Sequence, residues 1–167
     1  MPERETMNRA KRDLRRGRSA STAAGEFVRE EMHHIREGKH GARSAKQAIA
    51  IGLSKARRAG VPLKAPARGT TSSRTRRSAK RDYDTGQHRR KPRAPSRRRA
   101  TAMRAALKRE PRRAASHRAL ATQAHRSAMQ RGRRSRSAAA RKAVRTKGPA
   151  LRRAAARKAA RTRRRRR

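Results

Sequence analysis

The side chains able to do chemistry in this sequence are almost all cations. Of 167 residues, 54 are Lys or Arg and only 10 are Asp or Glu, so the formal net charge is +44. The arginine guanidinium forms paired hydrogen bonds to phosphate, and a chain that neutralises phosphates gains affinity by releasing condensed counterions. The composition therefore predicts a polyanionic partner.

The cations are unevenly distributed along the chain. Residues 1–63 hold 15 basic and 7 acidic residues, whereas residues 64–167 hold 39 basic and 3 acidic residues. Like charges oppose collapse, and only 32% of the chain is apolar, so the second part lacks the means to form a compact domain. We expect a small helical head over 1–63, a Pro/Ser/Arg-rich linker over 64–99, and a disordered or transiently helical basic tail over 100–167.

The candidate nucleic-acid contacts lie on the cationic side of a helix in the head and in the basic clusters of the tail. They are Lys46, Lys55, Arg57, Arg58, Arg97, Arg98, Arg99, Arg133, Arg134, Arg141, Lys142, Arg157, Lys158, Arg163, Arg164, Arg165, Arg166 and Arg167.

The secondary structure predicted for the head is helical, so the expected fold class is all-α. Apolar residues at helical spacing predict helices over about 22–37 and 45–59, with a short additional helix over 2–16. Ser44 and Gln47 have the spacing of a capping box at the start of the second of these helices. We expect the two longer helices to form a hairpin whose core contains Val28, Met32, Ile35, Ile49 and Leu53.

Two surface features of this head suggest contacts of other kinds. Glu26, Glu30 and Glu37 form an acidic ridge on the side of the first long helix opposite its apolar stripe, a side that should not face nucleic acid. We hypothesise that this ridge loosely holds the basic tail when DNA is absent. Ile51 lies outside the apolar face of the second helix, either as a lone exposed aliphatic or as a contact in a homodimer.

The segment EEMHH (30–34) contains two Glu-x-x-His pairs, an arrangement found in di-iron bundles. Such a bundle needs further glutamates from other helices, and the head has only seven acids in all. We therefore expect His33 and His34 to be solvated, with no metal site and no cofactor. Because no nucleophile–base pair is recognisable, the sequence does not predict an enzyme and contains no candidate catalytic residue.

The chain has no cysteine, no apolar run near the roughly 20 residues of a membrane span, and no apolar signal region at its start. These features favour a soluble protein in the cytoplasm, located at the nucleoid. A membrane-surface role is disfavoured, since the apolar residues of the tail are mostly alanine.

The function that the residues favour is sequence-independent binding of duplex DNA, by phosphate neutralisation and by compaction or bridging. A repetitive tail cannot place side chains rigidly enough to distinguish bases. One alternative is an RNA- or ribosome-associated protein, although the chain has only one Phe and one Tyr on which bases could stack. The other alternative is a protein-interaction head tethered to nucleic acid by its tail.

The stretch EFVREEMHHIREGKHGARSAKQAIAIGLSKARRAG (26–60) resembles an uncharacterised family of small, very basic bacterial proteins. The resemblance rests on a Gly-Lys turn, here Gly38 and Lys39, followed by K-Q-A-I-A-I-x-L-S-x-A at 46–56. Members of that family are sometimes labelled DNA-binding or plasmid-stabilisation proteins. The tail is similar in composition to histone H1-like nucleoid proteins. Together these resemblances imply a bacterial DNA-binding protein and add no catalytic residue.

Overall fold

The structure, a computed structural model, describes residues 2–92, 94 and 96–165, and in this part of the chain it is helical without strands. The helices are α1 (Arg4–Arg15), α2 (Ala20–Arg36), α3 (Ala45–Arg58), α4 (Ser73–Gly86), α5 (Arg97–Arg109), α6 (His117–Gln130) and α7 (Arg133–Arg164), with a 3₁₀ turn at Arg112–Ala115. The chain divides into two compact units, Met1–Gln123 and Ala124–Arg167.

The all-α class and the three predicted head helices are confirmed as α1, α2 and α3. At the start of α3, the Gln47 amide donates to Ser44 Oγ at 3.2 Å, and the Gln47 side chain accepts from the Arg43 amide at 2.9 Å. Helix α2 begins slightly earlier than expected, because Ser19 caps it by accepting from the Thr22 amide at 3.3 Å. Side-chain caps thus set both helix starts.

Two small apolar clusters form the core of the first unit. In the first, Phe27 of α2 packs among alanines of α1, α2 and α3, together with Val61. In the second, Met32 and Ile35 pack against Ala48 of α3 and the edge residues Val28 and Ile49. The predicted core residues Met32 and Ile35 are buried, whereas Val28, Ile49 and Leu53 are half-buried at the edges of the clusters.

The helices α2 and α3 approach each other closely at Gly52. A Cβ atom added to Gly52 would lie 2.7 Å from Val28 Cα and 3.1 Å from the Phe27 carbonyl oxygen, both backbone atoms. A glycine is therefore required there for steric reasons, although glycine costs about 1 kcal/mol relative to alanine within a helix. The contact brings the small side chains of both helices within packing distance.

The first unit extends beyond the head that the sequence predicted to end at residue 63. Ala114 and Ala115 of the 3₁₀ turn are buried in the second apolar cluster. The Gly41 amide donates to the Leu107 carbonyl at 2.8 Å, and Arg36 Nε donates to the Ala115 carbonyl at 2.9 Å. Part of the expected tail thus completes the core, because a pair of alanines is small enough to fit beside α2.

The segment predicted as a linker, 64–99, contains helix α4 and the start of α5. Ser72 caps α4 by accepting from the Thr75 amide at 3.2 Å, and Ser54 of α3 donates to Asp82 of α4. The Gln87 side chain donates to the Gly60 carbonyl at 3.0 Å. Two residues of the expected linker, Arg93 and Pro95, lie outside the described residues.

The long disordered tail that we expected is not supported, because α5, α6 and α7 occupy most of it. Ser96 and Ser116 supply side-chain caps for α5 and α6 by accepting from the amides of Arg99 and Ala119. Alanine and arginine are both strong helix formers, and their combined propensity outweighs the like-charge repulsion on which the expectation of disorder rested.

Helix α7 contains a break at Gly148, where φ is 65° and ψ is 171°, followed by Pro149. The left-handed φ requires glycine, and the proline cannot continue the hydrogen-bond ladder of the preceding turn. Each side of the break holds one copy of a repeat, AAARKAVRT at 138–146 and AAARKAART at 154–162. The two halves of α7 are therefore two copies of one basic helical segment.

Replacing Gly52 by alanine tests the close approach of α2 and α3. We expect Gly52→Ala to lower the free energy of unfolding by about 1–2 kcal/mol. The added Cβ forces the backbone of α2 to shift, and the cost of this shift exceeds the gain in helix propensity from alanine. The matched control is Gly25→Ala in α2, where an added Cβ meets nothing within 4 Å. That variant should gain about 1 kcal/mol. Thermal unfolding followed by circular dichroism measures both, and equal shifts for the two variants would contradict the packing argument.

Candidate nucleic-acid interface

Helix α7 contains more cations than any other described helix. Fourteen of its 32 residues are Lys or Arg and none is acidic. All fourteen are exposed, and none of the ion pairs found among the described residues involves them. Of the predicted contacts, this helix and its C-cap position present Arg133, Arg134, Arg141, Lys142, Arg157, Lys158, Arg163, Arg164 and Arg165, whereas Arg166 and Arg167 lie outside the described residues.

Four of the six arginines in the second half of α7 form a row along one face. Arg153, Arg157 and Arg161 follow one another at spacings of four residues, and Arg164 follows three residues later. Residues spaced by three and four share a helix face, so the row is about 16 Å long at 1.5 Å per residue. The residues between the cations are mostly alanine, which keeps the helix slim. A slim helix of this kind fits the major groove, which is about 12 Å wide, with its arginines reaching phosphates on the groove walls.

Three further predicted contacts, Arg97, Arg98 and Arg99, occupy the first turn of α5, and all are exposed. The positive end of the helix dipole disfavours cations in this turn, and no acid is present there to compensate them. A bound anion would relieve this repulsion. The cluster therefore favours a phosphate partner and adds nothing to the stability of α5 alone.

The four predicted contacts on α3 divide into two that are exposed and two that are buried or half-buried. Lys46 is exposed, and Arg58 is exposed at 3.7 Å from Asp82. Arg57 is buried, and its Nε donates to the Leu63 carbonyl at 3.1 Å; this burial lowers the pKa of Arg57. Lys55 Nζ lies 2.6 Å from Oε2 of the fully buried Glu31. Lys55, which is half-buried, and Arg57 therefore have partners within the first unit, and their interpretation as nucleic-acid contacts stays a prediction.

The expected acidic ridge on α2 is not an exposed surface. Glu26 Oε2 accepts from Arg9 Nε of α1 at 2.7 Å, a bond that raises the pKa of Arg9. Glu30 is 4% exposed and accepts from the backbone amide of Glu3 at 3.2 Å. Only Glu37 is exposed, and it lies 3.1 Å from Lys39. Two of the three ridge residues therefore fasten α1 to α2, and the partners of all three lie in the head.

A cluster of buried and half-buried titratable groups between α2 and the turn before α3 was missed by the sequence interpretation. Its members include Glu31, His34 and His40, whose ligand-type atoms lie within 4.8 Å of one another. His33 is exposed as expected, but His34 is buried, with Nε2 2.9 Å from Glu3 Oε1. This hydrogen bond lowers the pKa of Glu3.

A signal for this cluster was present in the sequence. Glu31 lies four residues before Ile35 and seven after Ala24, which places its carboxylate within the apolar stripe of α2. Lys55 likewise follows Ala48 by seven residues at the edge of the apolar face of α3. A carboxylate and an ammonium on facing apolar stripes indicate a buried ion pair between the two helices.

Comparison with known proteins found a similarity for one part of this architecture. Residues 19–68, which contain α2, the following turn and α3, match the profile of a family of unknown function, DUF6496. The match covers less than half of the chain, and it agrees with the resemblance to an uncharacterised family. No match was found among curated proteins or among solved structures. Separately, none of the helices in the described residues combines the length and apolar character of a membrane span.

Replacing Lys55 by methionine separates its structural role from a role in nucleic-acid binding. We expect Lys55→Met to lower the free energy of unfolding by about 3 kcal/mol, because two buried carboxylates lose their ammonium partner. The control, Lys46→Met, removes an exposed lysine from the same helix and should change stability by less than about 0.5 kcal/mol. Chemical denaturation of both variants measures the difference, and a stable Lys55→Met protein with weakened DNA binding would contradict our assignment.

Proposed function

We propose that this protein is a sequence-independent DNA-binding protein of the nucleoid that acts by neutralising duplex phosphates. The observation that carries the proposal is the surface of α7, where fourteen exposed cations on an alanine-rich helix have no acidic counterpart. Such a surface contacts phosphates whatever the base sequence, and the released counterions supply the affinity.

The positions of the aromatic residues favour a duplex over a single strand. Phe27 is buried in the first apolar cluster and Tyr83 is half-buried on α4, and these are the only aromatic residues of the chain apart from histidine. Single-stranded nucleic acid is usually held by bases stacked on exposed aromatic rings. With neither ring exposed, binding relies on the regular phosphate array of a duplex.

Compaction or bridging of DNA follows from the presence of cations in both compact units. The first unit exposes Lys46, Arg58 and the cluster Arg97–Arg99, and the second exposes the cations of α7. A chain with a cationic surface in each unit can neutralise more than one stretch of backbone. In this proposal, the helices of residues 19–68 contribute the exposed cations Lys46 and Arg58 to the first of these surfaces.

A salt titration of DNA affinity with matched variants tests this proposal. We expect log Kd of the full chain for a duplex to rise linearly with log salt concentration. Replacing Arg153, Arg157, Arg161 and Arg164 together by glutamine should reduce the magnitude of that slope by about 3 to 4, since each phosphate contact contributes about 0.9. The control replaces the same four arginines by lysine, which keeps the charge and should leave the slope unchanged.

The same titration on duplex RNA and on single strands distinguishes the alternatives. A tenfold preference for structured RNA, about 1.4 kcal/mol, would favour the RNA- or ribosome-associated protein instead. Equal slopes for the parent chain and the glutamine variant would show that the arginine row does not contact phosphate. Retained nucleic-acid binding with no compaction, together with dimerisation of the chain in the absence of DNA, would favour a protein-interaction head tethered by its tail.

A further inference from the structure

The cluster formed by Glu31, His34 and His40 has the composition of a metal site. Glu31 and His34 lie one turn apart on α2, and His40 belongs to the turn that leads to α3. One ligand-type atom from each of the three lies within 4.8 Å of the other two. The cluster is separate from the exposed cations proposed to contact nucleic acid.

The carboxylate of Glu31 is the first observation that points to a cation. The residue is 0% exposed, and neither of its carboxylate oxygens has a hydrogen-bond partner. Lys55 Nζ is 2.6 Å from Oε2, but this contact lacks hydrogen-bond geometry, and Oε1 faces His40 Nε2 at 3.3 Å. A buried carboxylate oxygen without a donor is costly, so a positive species is expected on the Oε1 side.

The tautomer of His40 is the second observation. Its Nδ1 lies 3.1 Å from the Gly41 carbonyl oxygen, which can only accept, so Nδ1 carries a hydrogen. In the neutral ring, Nε2 is then an acceptor with a free lone pair, and this lone pair faces Glu31 Oε1. Two acceptors 3.3 Å apart need a shared cation or proton between them. A hydrogen bond from the second ring nitrogen to a carbonyl is also the usual way in which a metal-binding histidine is oriented.

The balance of charge in the cluster is the third observation. Glu30 and Glu31 are both buried, and the single ammonium near them is that of Lys55, 4.0 Å from Glu30 Oε1 and 2.6 Å from Glu31 Oε2. The two carboxylates therefore face one lysine, and the cluster lacks a positive charge. A divalent cation held by Glu31 would supply it.

We propose that Glu31 Oε1, His40 Nε2 and the His34 ring bind a zinc ion. Zinc bonds of about 2.0–2.1 Å at tetrahedral angles place two ligand atoms about 3.3 Å apart. The separation between Glu31 Oε1 and His40 Nε2 is 3.3 Å. The His34 ring, which is 9% exposed, is held by the Glu3 carboxylate, and carboxylates commonly accompany metal-bound histidines.

The ligand set favours zinc over the hard cations. Two imidazoles and one carboxylate suit zinc and related first-row metals, whereas magnesium and calcium prefer oxygen ligands throughout. Three protein ligands leave one position for water. The ion would join the C-terminal half of α2 to the turn before α3 and so fix the angle between the two helices.

Titration of the tag-free, nucleic-acid-free full chain with zinc chloride by calorimetry tests this site. We expect saturation at one zinc ion per chain with a Kd in the micromolar range or tighter, and a Tm several degrees higher with zinc. Magnesium chloride in place of zinc should give no saturable heat. Cobalt(II) in place of zinc should give the visible absorption bands of a tetrahedral site.

The histidine variants connect binding to this cluster. His40→Ala should weaken zinc binding at least about 30-fold, because a direct ligand is lost. The matched control is His33→Ala, since His33 is the neighbouring exposed histidine, paired with Glu37 at 2.8 Å, and lies outside the cluster. This variant should bind zinc as the parent chain does. If His40→Ala lost its helical circular dichroism signal, His40→Gln would replace it. The visible absorption spectrum of the cobalt complex would then be compared between the parent chain and His40→Gln.

Three results would overturn the proposal. The first is the absence of saturable zinc binding by the parent chain at millimolar zinc. The second is equal weakening by His33→Ala and His40→Ala, which would indicate scattered surface binding. The third is a cobalt complex without tetrahedral bands. Each of these results would mean that Glu31 and His40 are in contact without a metal ion between them.

Discussion

The scarcity of large apolar side chains is the constraint on which the first unit depends. With one Phe, one Tyr and no Trp in the chain, its helices can bury enough surface only if their backbones approach closely. Gly52 makes this approach possible at the contact of α2 with α3, and alanines line the remaining contacts. The same constraint explains why Ala114 and Ala115 are drawn into the core. A larger side chain in either position would need space that this packing does not provide.

A core made of small side chains leaves little apolar surface to offset buried charge, yet this core contains Glu30, Glu31 and Arg57. Lys55 lies beside both glutamates, and Arg57 Nε donates to the Leu63 carbonyl. Buried ion pairs of this kind contribute little net stability but are very costly to break. They therefore restrict α2 and α3 to one register, a specificity that alanine contacts alone would not supply.

Local signals in the sequence were sufficient to predict where the helices of the head lie. They were not sufficient to predict which of its charged side chains pair with one another. Helix starts depend on a serine and its next three residues, so α3 and its cap could be predicted closely. The role of Lys55 depends on Glu31, which is 24 positions away. The apolar stripe of α2 indicates the burial of Glu31, but its pairing with Lys55 is visible only when α2 and α3 are placed together. The folding of 100–115 onto α2 was equally hidden, since two alanines in an arginine-rich stretch carry no periodic signal. In the tail, repulsion between cations was given more weight than the helix propensity of alanine and arginine, and the structure shows the opposite balance.

The acidic residues are concentrated in the first half of the chain, where they pair with nearby cations. Nine of the ten acidic residues form ion pairs, and all nine lie between Glu3 and Asp84, with partners in the same part of the chain. Some of these carboxylates join neighbouring helices: Glu26 pairs with α1, Glu31 with Lys55 of α3, and Asp82 with Arg58 of α3. None of the pairs involves the cations of α5 or α7. Because these nine acids have their partners between Arg9 and Lys80, the described cations beyond residue 96 face solvent without an ion-pair partner. In the function that we propose, an external polyanion supplies the counter-charge for these cations.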